Sequence, residues 1–495
     1  MKPSFYEQKW HGLRNQPDRK DLDRLARQIA LSFLDRYFYN DCHEDDYIRL
    51  LCEIATGFED DDLNRIGSSA LFGIVIEALC DDFEELQTEA YNRVMSQVLS
   101  FCRETPPGKD LDRELRRFSL HSREDIFNRI ENIRAASDTA RDMKPPDKVV
   151  ILSRVTIGAD VAVTSVLVQR IRRRFPGAEI VIIGSPRIHE IFGTNPRIRI
   201  REVRYHRRGN MIERFRSWLA VLKIIRDEMT TSGSEDLVVV DPDSRLSQLG
   251  VLPCIAPEKY LFFNSRGRDS YPKNMSIAEL ANLWMDNVFG ESDFCYPRVW
   301  LQPSLVAQAS RLSRALRTAG CRKMIAVNFG VGGNSRKRLP GDFEENLVQR
   351  LLEDPETVII LDRGVGDEEL ARSGAVMKAM ERSGIPVEYV KFESPGEIRI
   401  PRGVIGVEST IGEIAAIIAQ CDEFIGYDSA CQHIAAALGV PTCTVFAGSN
   451  NVRFVRRWSA CGPAKSEIVH VDTLTHPPMF DTEDIIMRII DSRTV

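Results

Sequence analysis

Glycine and acidic residues stand together where an apolar run of the chain ends near residue 152. The segment 154–160 reads RVTIGAD and leads into a second apolar stretch. Gly158 permits a tight turn and a close approach to a ligand, and a helix that begins here offers free amides to an anion or a polar substrate. Asp160 stands at this helix start, either as a functional carboxylate or as a helix cap.

A glycine cluster, GVGGNSRKRLP at residues 330–340, follows another apolar run. Backbone amides around Gly332 and Gly333 and the cations of Arg336 and Lys337 are suited to holding phosphate oxygens. A basic run is also common in a solvated loop, and the sequence leaves that alternative open. The cluster matches neither G-x-x-x-x-G-K-[ST] nor G-x-G-x-x-G, which argues against a P-loop and against a dinucleotide-binding turn.

The third candidate segment is FIGYDSACQH at residues 424–433, which continues as IAAALGVP. Asp428 ends an apolar run, Ser429 is suited to cap the helix that follows, and Ala430 begins that helix. The first-turn amides of such a helix would hold a diphosphate. His433 lies one turn further on, where it is either a functional imidazole or a packing residue.

The elements that carry these segments are predicted by periodicity. Apolar residues recur at helical spacing over residues 18–140, and after Pro145-Pro146 short β-branched runs alternate with helical stretches. This alternation predicts parallel sheets with helices on both faces, and ligands at the carboxyl ends of the strands. The predicted strands are 149–152, 179–184, 198–203, 237–241, 260–263, 324–329, 358–361, 387–389, 423–426 and 442–446.

The predicted fold class is therefore α/β, with two Rossmann-like domains and an added all-α N-terminal domain. The expected domains are a helical one at residues 1–145, a Rossmann-like one at 146–300 and a second Rossmann-like one at 301–495. Each candidate segment directly follows a predicted strand, so all three are expected at ligand-binding edges.

Charge and composition limit the function classes. The chain has 66 Lys+Arg and 72 Asp+Glu; residues 1–145 carry a balance of −8 and the remainder +2. No region has the basic excess of a general nucleic-acid binder. The 11 cysteines are scattered without a C-x-x-C pair, and the N-terminus is polar. These features predict a soluble cytoplasmic protein with reduced thiols rather than a disulfide scaffold or a zinc protein.

Taken together, the three segments resemble the heptosyltransferase family (glycosyltransferase family 9). The resemblance rests on the turn with Gly158 and Asp160, on the segment KRLP at 337–340, and on the segment from Asp428 to Pro441 with TVF at 444–446. It also includes RRRFPGAEI at 172–180, and it covers residues 147–475. The helical N-terminal region lies outside it.

This resemblance implies a GT-B fold and an inverting, metal-independent transfer of heptose from an ADP-sugar to a lipopolysaccharide core. It implies that Asp160 is the general base and that Lys337 contacts the donor phosphates. Asp428, Ser429 and His433 match the donor-side motif. Glu368 matches the ribose-binding acid, with Asp367 and Glu369 as competitors. No cofactor is implied, since the nucleotide-diphosphate sugar is a substrate.

Two of the departures from the family pattern keep other functions open. Ala159 stands between Gly158 and Asp160, and Ala430-Cys431 stands where Gly-Pro is usual. One alternative is a degenerate member that binds a nucleotide or glycan without turnover. Another is a different GT-B enzyme, such as a sugar-nucleotide epimerase, which needs no acceptor.

An arginine-rich stretch spans residues 170–216. Its members could meet an anionic acceptor or a membrane surface, which would place the protein at the inner face of the membrane; those beside the third strand are Arg197, Arg199, Arg201, Arg204, Arg207 and Arg208. The helical stripe that begins at Phe215 and includes Trp218 is expected to be core. The oligomeric state is not predicted.

Overall fold

The N-terminal region consists of helices. The structure is a computed structural model that describes residues 1–80, 82–136, 143–206, 209–231, 236–267, 271–392, 400–475 and 480–493. The first helices are α1 Pro3–Asn15, α2 Arg19–Asn40, α3 Asp45–Ile54, α4 Asp61–Ala70, α5 Glu85–Glu104, α6 Lys109–Arg117 and α7 Arg123–Ala135, with a π-helical turn at Leu71–Ile76. A capping box between Ser122 and Asp125 begins α7, because each side chain satisfies a backbone amide of the other.

A five-stranded sheet follows, with the order β3-β2-β1-β4-β5. Its elements are β1 Lys148–Leu152, α8 Ile157–Ala159, α9 Ser165–Arg174, β2 Glu179–Gly184, α10 His189–Phe192, β3 Ile198–Glu202, α11 Met211–Thr231, β4 Leu237–Asp241, β5 Tyr260–Phe262 and α12 Ile277–Phe289. Strand β1 pairs in parallel with both β2 and β4. The strand order therefore reverses between β1 and β4, which is the usual ligand-binding position in such a sheet.

The second sheet has seven strands in the order β12-β11-β10-β6-β7-β9-β8, and all six neighbouring pairs are parallel. Its elements are α13 Pro303–Thr318, β6 Lys323–Asn328, α14 Phe343–Leu351, β7 Thr357–Asp362, α15 Asp367–Arg382, β8 Val387–Lys391, β9 Gly403–Glu408, α16 Ile411–Ile418, β10 Glu423–Tyr427, α17 Ala430–Ala437, β11 Thr442–Phe446, α18 Val452–Arg457, β12 Ser466–His470 and α19 Thr482–Arg493. Here the order reverses between β6 and β10.

One hydrophobic core joins the N-terminal helices to the five-stranded sheet. Val150 and Leu152, which alternate along β1, lie in the same buried cluster as residues of α2, α3 and α5. Trp218 of α11 is fully buried there, and its indole nitrogen donates to the carbonyl oxygen of Pro253 at 2.8 Å. The stripe from Phe215 is therefore core, as expected.

The parallel sheets and the helical N-terminal region confirm the predicted fold class. All ten predicted strands are present within two residues of their expected ends, and β9 and β12 are additional. The predicted domain boundaries after residues 145 and 300 stay predictions. No helix in the described ranges is both long and apolar enough to span a membrane.

The chain divides into two compact units, and each unit is made of three separate segments of the chain. One contains Met1–Val155, Gly177–Ser185 and Arg201–Pro272; the other contains Thr156–Pro176, Pro186–Ile200 and Lys273–Val495. The segment with Asp160 therefore belongs to the same unit as the seven-stranded sheet. All the candidate site residues lie in this second unit.

Candidate functional site

The carboxyl ends of β6 and β10 bring Asn328 and Ser429 together. Ser429 occupies the N-cap position of α17, but its side chain makes no hydrogen bond to the helix amides. Its hydroxyl instead donates to Asn328 Oδ1 at 3.4 Å. A helix start without a side-chain cap leaves first-turn amides available to an anion. The switch point of the seven-stranded sheet thus carries a helix start suited to a negatively charged ligand.

A cation stands at this helix start. Lys337 ends a short 3₁₀ turn, Ser335–Lys337, and its ammonium forms an ion pair with Asp428 Oδ2. The same ammonium lies 3.5 Å from the carbonyl oxygen of Asp428. The Lys337 side chain keeps 24% of its surface exposed against 8% for Asp428. Two residues that the sequence assigned separately to the donor site are therefore in contact, 91 positions apart in the chain.

The glycine loop lies on the surface beside this pair. Gly332 and Gly333 have φ of +60° and +82°, where a side chain would be strained, and both are exposed, as is Arg336. Gly448, with φ of +77°, packs on the same loop, since a Cβ there would lie 2.5 Å from the carbonyl oxygen of Arg336. The loop can therefore present the exposed Arg336 side chain to a ligand.

His433 is a buried residue of α17. Burial lowers the pKa of His433 to about 4, so the imidazole is neutral at pH 7. Its ring packs against Trp458 with centroids 6.0 Å apart. The structure thus gives this residue the surroundings of a packing imidazole.

The turn that carries Asp160 packs directly on α17. A Cβ added to Gly158 would lie 3.1 Å from Ala430 Cα and 3.1 Å from His433 Cδ2. From the sequence, Gly158 was predicted to let the backbone approach a ligand; in the structure its missing side chain lets two helix starts approach each other.

Asp160 itself is 1% exposed and begins a π-helical turn, Asp160–Thr164. The hydroxyl of Thr164 donates to its Oδ1 at 2.7 Å. Thr156, not Asp160, occupies the N-cap position of α8, so the helix-capping alternative does not describe this carboxylate. Single π-helical turns often occur at functional positions.

The acidic residues after β7 point to different neighbours. Glu368 is 69% exposed and accepts a hydrogen bond from Arg338 Nη1 at 2.9 Å. Glu369 accepts from the amide of Val365 at 2.9 Å, and a Cβ on Gly330 would lie 3.2 Å from its carboxylate. Asp367 is exposed. The structure therefore separates the three competitors: Glu368 lies against the KRLP segment and Glu369 against the Gly330 turn.

Two polar residues at this edge, Asn328 and Asp362, were not predicted from the sequence. Asp362 ends β7, and its carboxyl accepts from Asn328 Nδ2 at 2.6 Å, from the amide of Gly364 at 3.0 Å and from Ser409 at 3.3 Å. Burial raises the pKa of Asp362 to about 6, although these hydrogen bonds act in the opposite direction. A usable signal existed: Asn328 lies near the end of one predicted strand, and Asp362 directly follows the next one along the chain.

The arginine-rich stretch contains ion-paired arginines as well as neighbouring like charges. Arg201 forms ion pairs with Glu228 and, at 3.6 Å, with Asp227. Burial and the nearby charges of Arg197 and Arg298 lower the pKa of Arg172, which indicates closely spaced like charges. Residues 207 and 208, Arg207 and Arg208, lie outside the described residues.

Within the described ranges, no group of three or more His, Cys, Asp or Glu side chains is arranged to hold a metal ion.

Part of the chain matches a known family. Residues 397–486 match the model of glycosyltransferase family 9 (heptosyltransferase). This range contains Asp428, Ser429 and His433, and the match confirms the resemblance that the sequence around them indicated. The enzyme class that the resemblance implies is a glycosyltransferase. No curated protein matches the chain.

Several solved structures are similar over most of their length. A glycosyl transferase of family 9 from Veillonella parvula has 16% identity, with coverage of 69% of this chain and 90% of its own and a TM-score of 0.46. The ADP-heptose LPS heptosyltransferase II of E. coli has 12% identity, with coverage of 70% and 98% and a TM-score of 0.45. The E. coli heptosyltransferase WaaC with ADP has 16% identity, with coverage of 70% and 99% and a TM-score of 0.45.

Proposed function

We propose that this protein is an inverting glycosyltransferase that moves a sugar from a nucleotide-diphosphate donor to a glycan acceptor. The observation that carries the proposal is the Lys337 ammonium held by Asp428 at the uncapped start of α17. The donor is an ADP-sugar, with heptose as the transferred group, and the acceptor is a glycan such as the lipopolysaccharide core. The family match over residues 397–486 supports this choice of donor and acceptor.

The proposed role of Lys337 and α17 is to hold the leaving diphosphate. Negative charge grows on the diphosphate as its bond to the anomeric carbon breaks. A cation and helix-start amides fixed at that position stabilise the transition state more than the ground state. These groups supply positive charge from the protein, so the proposal requires neither a metal nor another cofactor. Arg336, exposed on the neighbouring loop, is the second cation within the proposed phosphate site.

Asp160 is the proposed general base. The acceptor hydroxyl oxygen attacks the anomeric carbon, the bond from that carbon to the diphosphate oxygen breaks, and the hydroxyl proton passes to the Asp160 carboxylate. The contact of Gly158 with Ala430 supports the role, because it keeps this turn beside the proposed diphosphate site. Since Asp160 is 1% exposed, the proposal requires its turn and α17 to separate when the acceptor reaches the carboxylate.

The nucleoside half of the donor is assigned to the carboxyl end of β7. Glu368 is the proposed ribose-binding acid, and its pairing with Arg338 would hold it beside the KRLP segment. Glu369 is the alternative, since it lies against the Gly330 turn.

An anionic partner is proposed for the surface around Arg172. The phosphates of a core glycan or anionic lipid headgroups would relieve the repulsion between Arg172 and its like-charged neighbours Arg197 and Arg298. We therefore propose a cytoplasmic protein that contacts the inner face of the membrane peripherally, and no nucleic-acid partner.

Replacing Asp160 by Asn tests the catalytic proposal. The variant should lose at least a hundredfold in sugar transfer, because it has no base, while keeping wild-type affinity for ADP. Asp227→Asn, a carboxylate outside the proposed site, is the matched control. A protein that binds ADP but transfers nothing even as wild type would be a degenerate member, and donor consumption without any acceptor would indicate an epimerase.

A further inference from the structure

We infer that Gln432 is a positioning residue of the donor phosphate site, because it fixes the carboxylate that holds Lys337. The inference rests on the proposed function. Gln432 lies on α17, one turn from Asp428, and its side chain is fully buried. Its Nε2 donates to Asp428 Oδ1 at 2.7 Å. The other carboxylate oxygen, Oδ2, takes the ammonium of Lys337.

The orientation of the Gln432 amide is fixed by its neighbours. Nε2 also lies 3.4 Å from the carbonyl oxygen of Trp458, so both groups that it faces are acceptors. Turning the amide over would bring Oε1 against a carboxylate and a carbonyl oxygen, which is unfavourable. Oε1 has no hydrogen-bond partner among the described residues. The side chain thus satisfies Asp428 while one of its own buried atoms stays unsatisfied.

The two oxygens of the Asp428 carboxylate thus have different partners: a neutral amide at Oδ1 and a cation at Oδ2. With Oδ1 satisfied by Gln432, the carboxylate needs Lys337 at one oxygen only, and the ammonium can turn toward an incoming diphosphate. Without the amide, Oδ1 becomes a buried, unsatisfied acceptor, and such a group is costly. Asp428 would then hold Lys337 more strongly, and the diphosphate would bind more weakly.

Gln432→Glu makes the role dependent on pH. An ionised Glu cannot donate to Asp428, but a protonated one can, as the amide does. The buried neighbouring carboxylate raises the pKa of the introduced acid. ADP binding by this variant, measured by calorimetry, should be at least tenfold weaker than wild type at pH 8 and within threefold of wild type at pH 5.5. Gln432→Met, which can donate at neither pH, should stay weak at both.

Two controls separate this role from a general effect. Gln349→Glu makes the same charge change at an exposed position of α14 and should bind like wild type. Unfolding in urea without nucleotide should show Gln432→Glu losing stability relative to wild type at pH 8 and regaining it at pH 5.5.

Normal ADP binding by both Gln432 variants, or a Gln432→Glu defect that does not change with pH, would overturn the inference alone. Wild-type protein that binds no nucleoside diphosphate would overturn the proposed function and this inference with it.

Discussion

The packing of Gly158 on α17 leads to a quantitative prediction for Gly158→Ala. The new methyl group would lie 3.1 Å from Ala430 Cα and 3.1 Å from His433 Cδ2, closer than ordinary van der Waals contact. Ala430 Cα is a backbone atom at the start of a helix, so it can move only if α17 moves. Overpacking of this kind costs about 1–3 kcal/mol.

A gain in helix propensity opposes part of that cost. Gly158 lies in the short helix α8, and alanine is favoured over glycine in a helix by about 1 kcal/mol. The net expected loss in the free energy of unfolding is therefore about 0–2 kcal/mol. Gly374 is the matched control, because it lies in α15 and a Cβ there meets nothing within 4 Å. Gly374→Ala should stabilise the protein by about 0.5–1 kcal/mol.

Urea unfolding of the two variants beside wild type measures both numbers. If Gly158→Ala is as stable as Gly374→Ala, the close contact between the Asp160 turn and α17 does not exist. The proposed proximity of the base to the diphosphate site would then lose its support.

Two other predictions concern His433 and Gly448. His433, with its pKa lowered to about 4 by burial, is neutral in the folded protein while the unfolded chain takes up a proton below its ordinary value of about 6.5. The stabilisation from the neutral imidazole is therefore complete above pH 6.5, and the free energy of unfolding of the wild-type protein falls by about 3 kcal/mol between pH 6.5 and pH 4. Urea unfolding at several pH values should show this fall in the wild-type protein and not in His433→Gln. Gly448→Ala should weaken ADP binding in calorimetry, because the φ of residue 448 is +77° and its new Cβ would push on Arg336 and displace the loop that carries Lys337. Unchanged ADP affinity would show that this loop is not part of the donor site.

The fold was largely predictable because strand–helix alternation is a local pattern. The two missed strands explain where local patterns fail. Strand β9 contains Gly406, where a Cβ would lie 2.3 Å from Met377 Sδ. A β-branched residue, which would have marked the strand in the sequence, therefore does not fit at this position. Strand β12 is only partly buried and mixes polar with apolar residues, so it lacks a continuous apolar run.

The sequence predicted which segments form the candidate site, but it did not predict which of their residues are in contact. Its segments follow strands, and the carboxyl ends of parallel strands share one edge. The pairing of Lys337 with Asp428 and of Asn328 with Asp362 depends on which strands become neighbours, and periodicity does not specify that order. The packing of the Asp160 turn on α17 likewise joins two segments that are more than 250 residues apart in the chain. Sequence spacing carries no information about such a contact.

Binding of ADP, UDP, GDP and CDP, measured by calorimetry, tests the central proposal most directly. The proposal predicts selective ADP binding that weakens about tenfold or more in Lys337→Ala, because a charge-assisted contact to phosphate is lost. Lys323→Ala should bind like wild type, since Lys323 pairs with Glu423 at the opposite edge of the same sheet. Preference for another nucleotide would agree with a glycosyltransferase but would refute the proposal that the donor is ADP-heptose. Binding of none of the four, or equal binding by Lys337→Ala, would contradict the donor site itself.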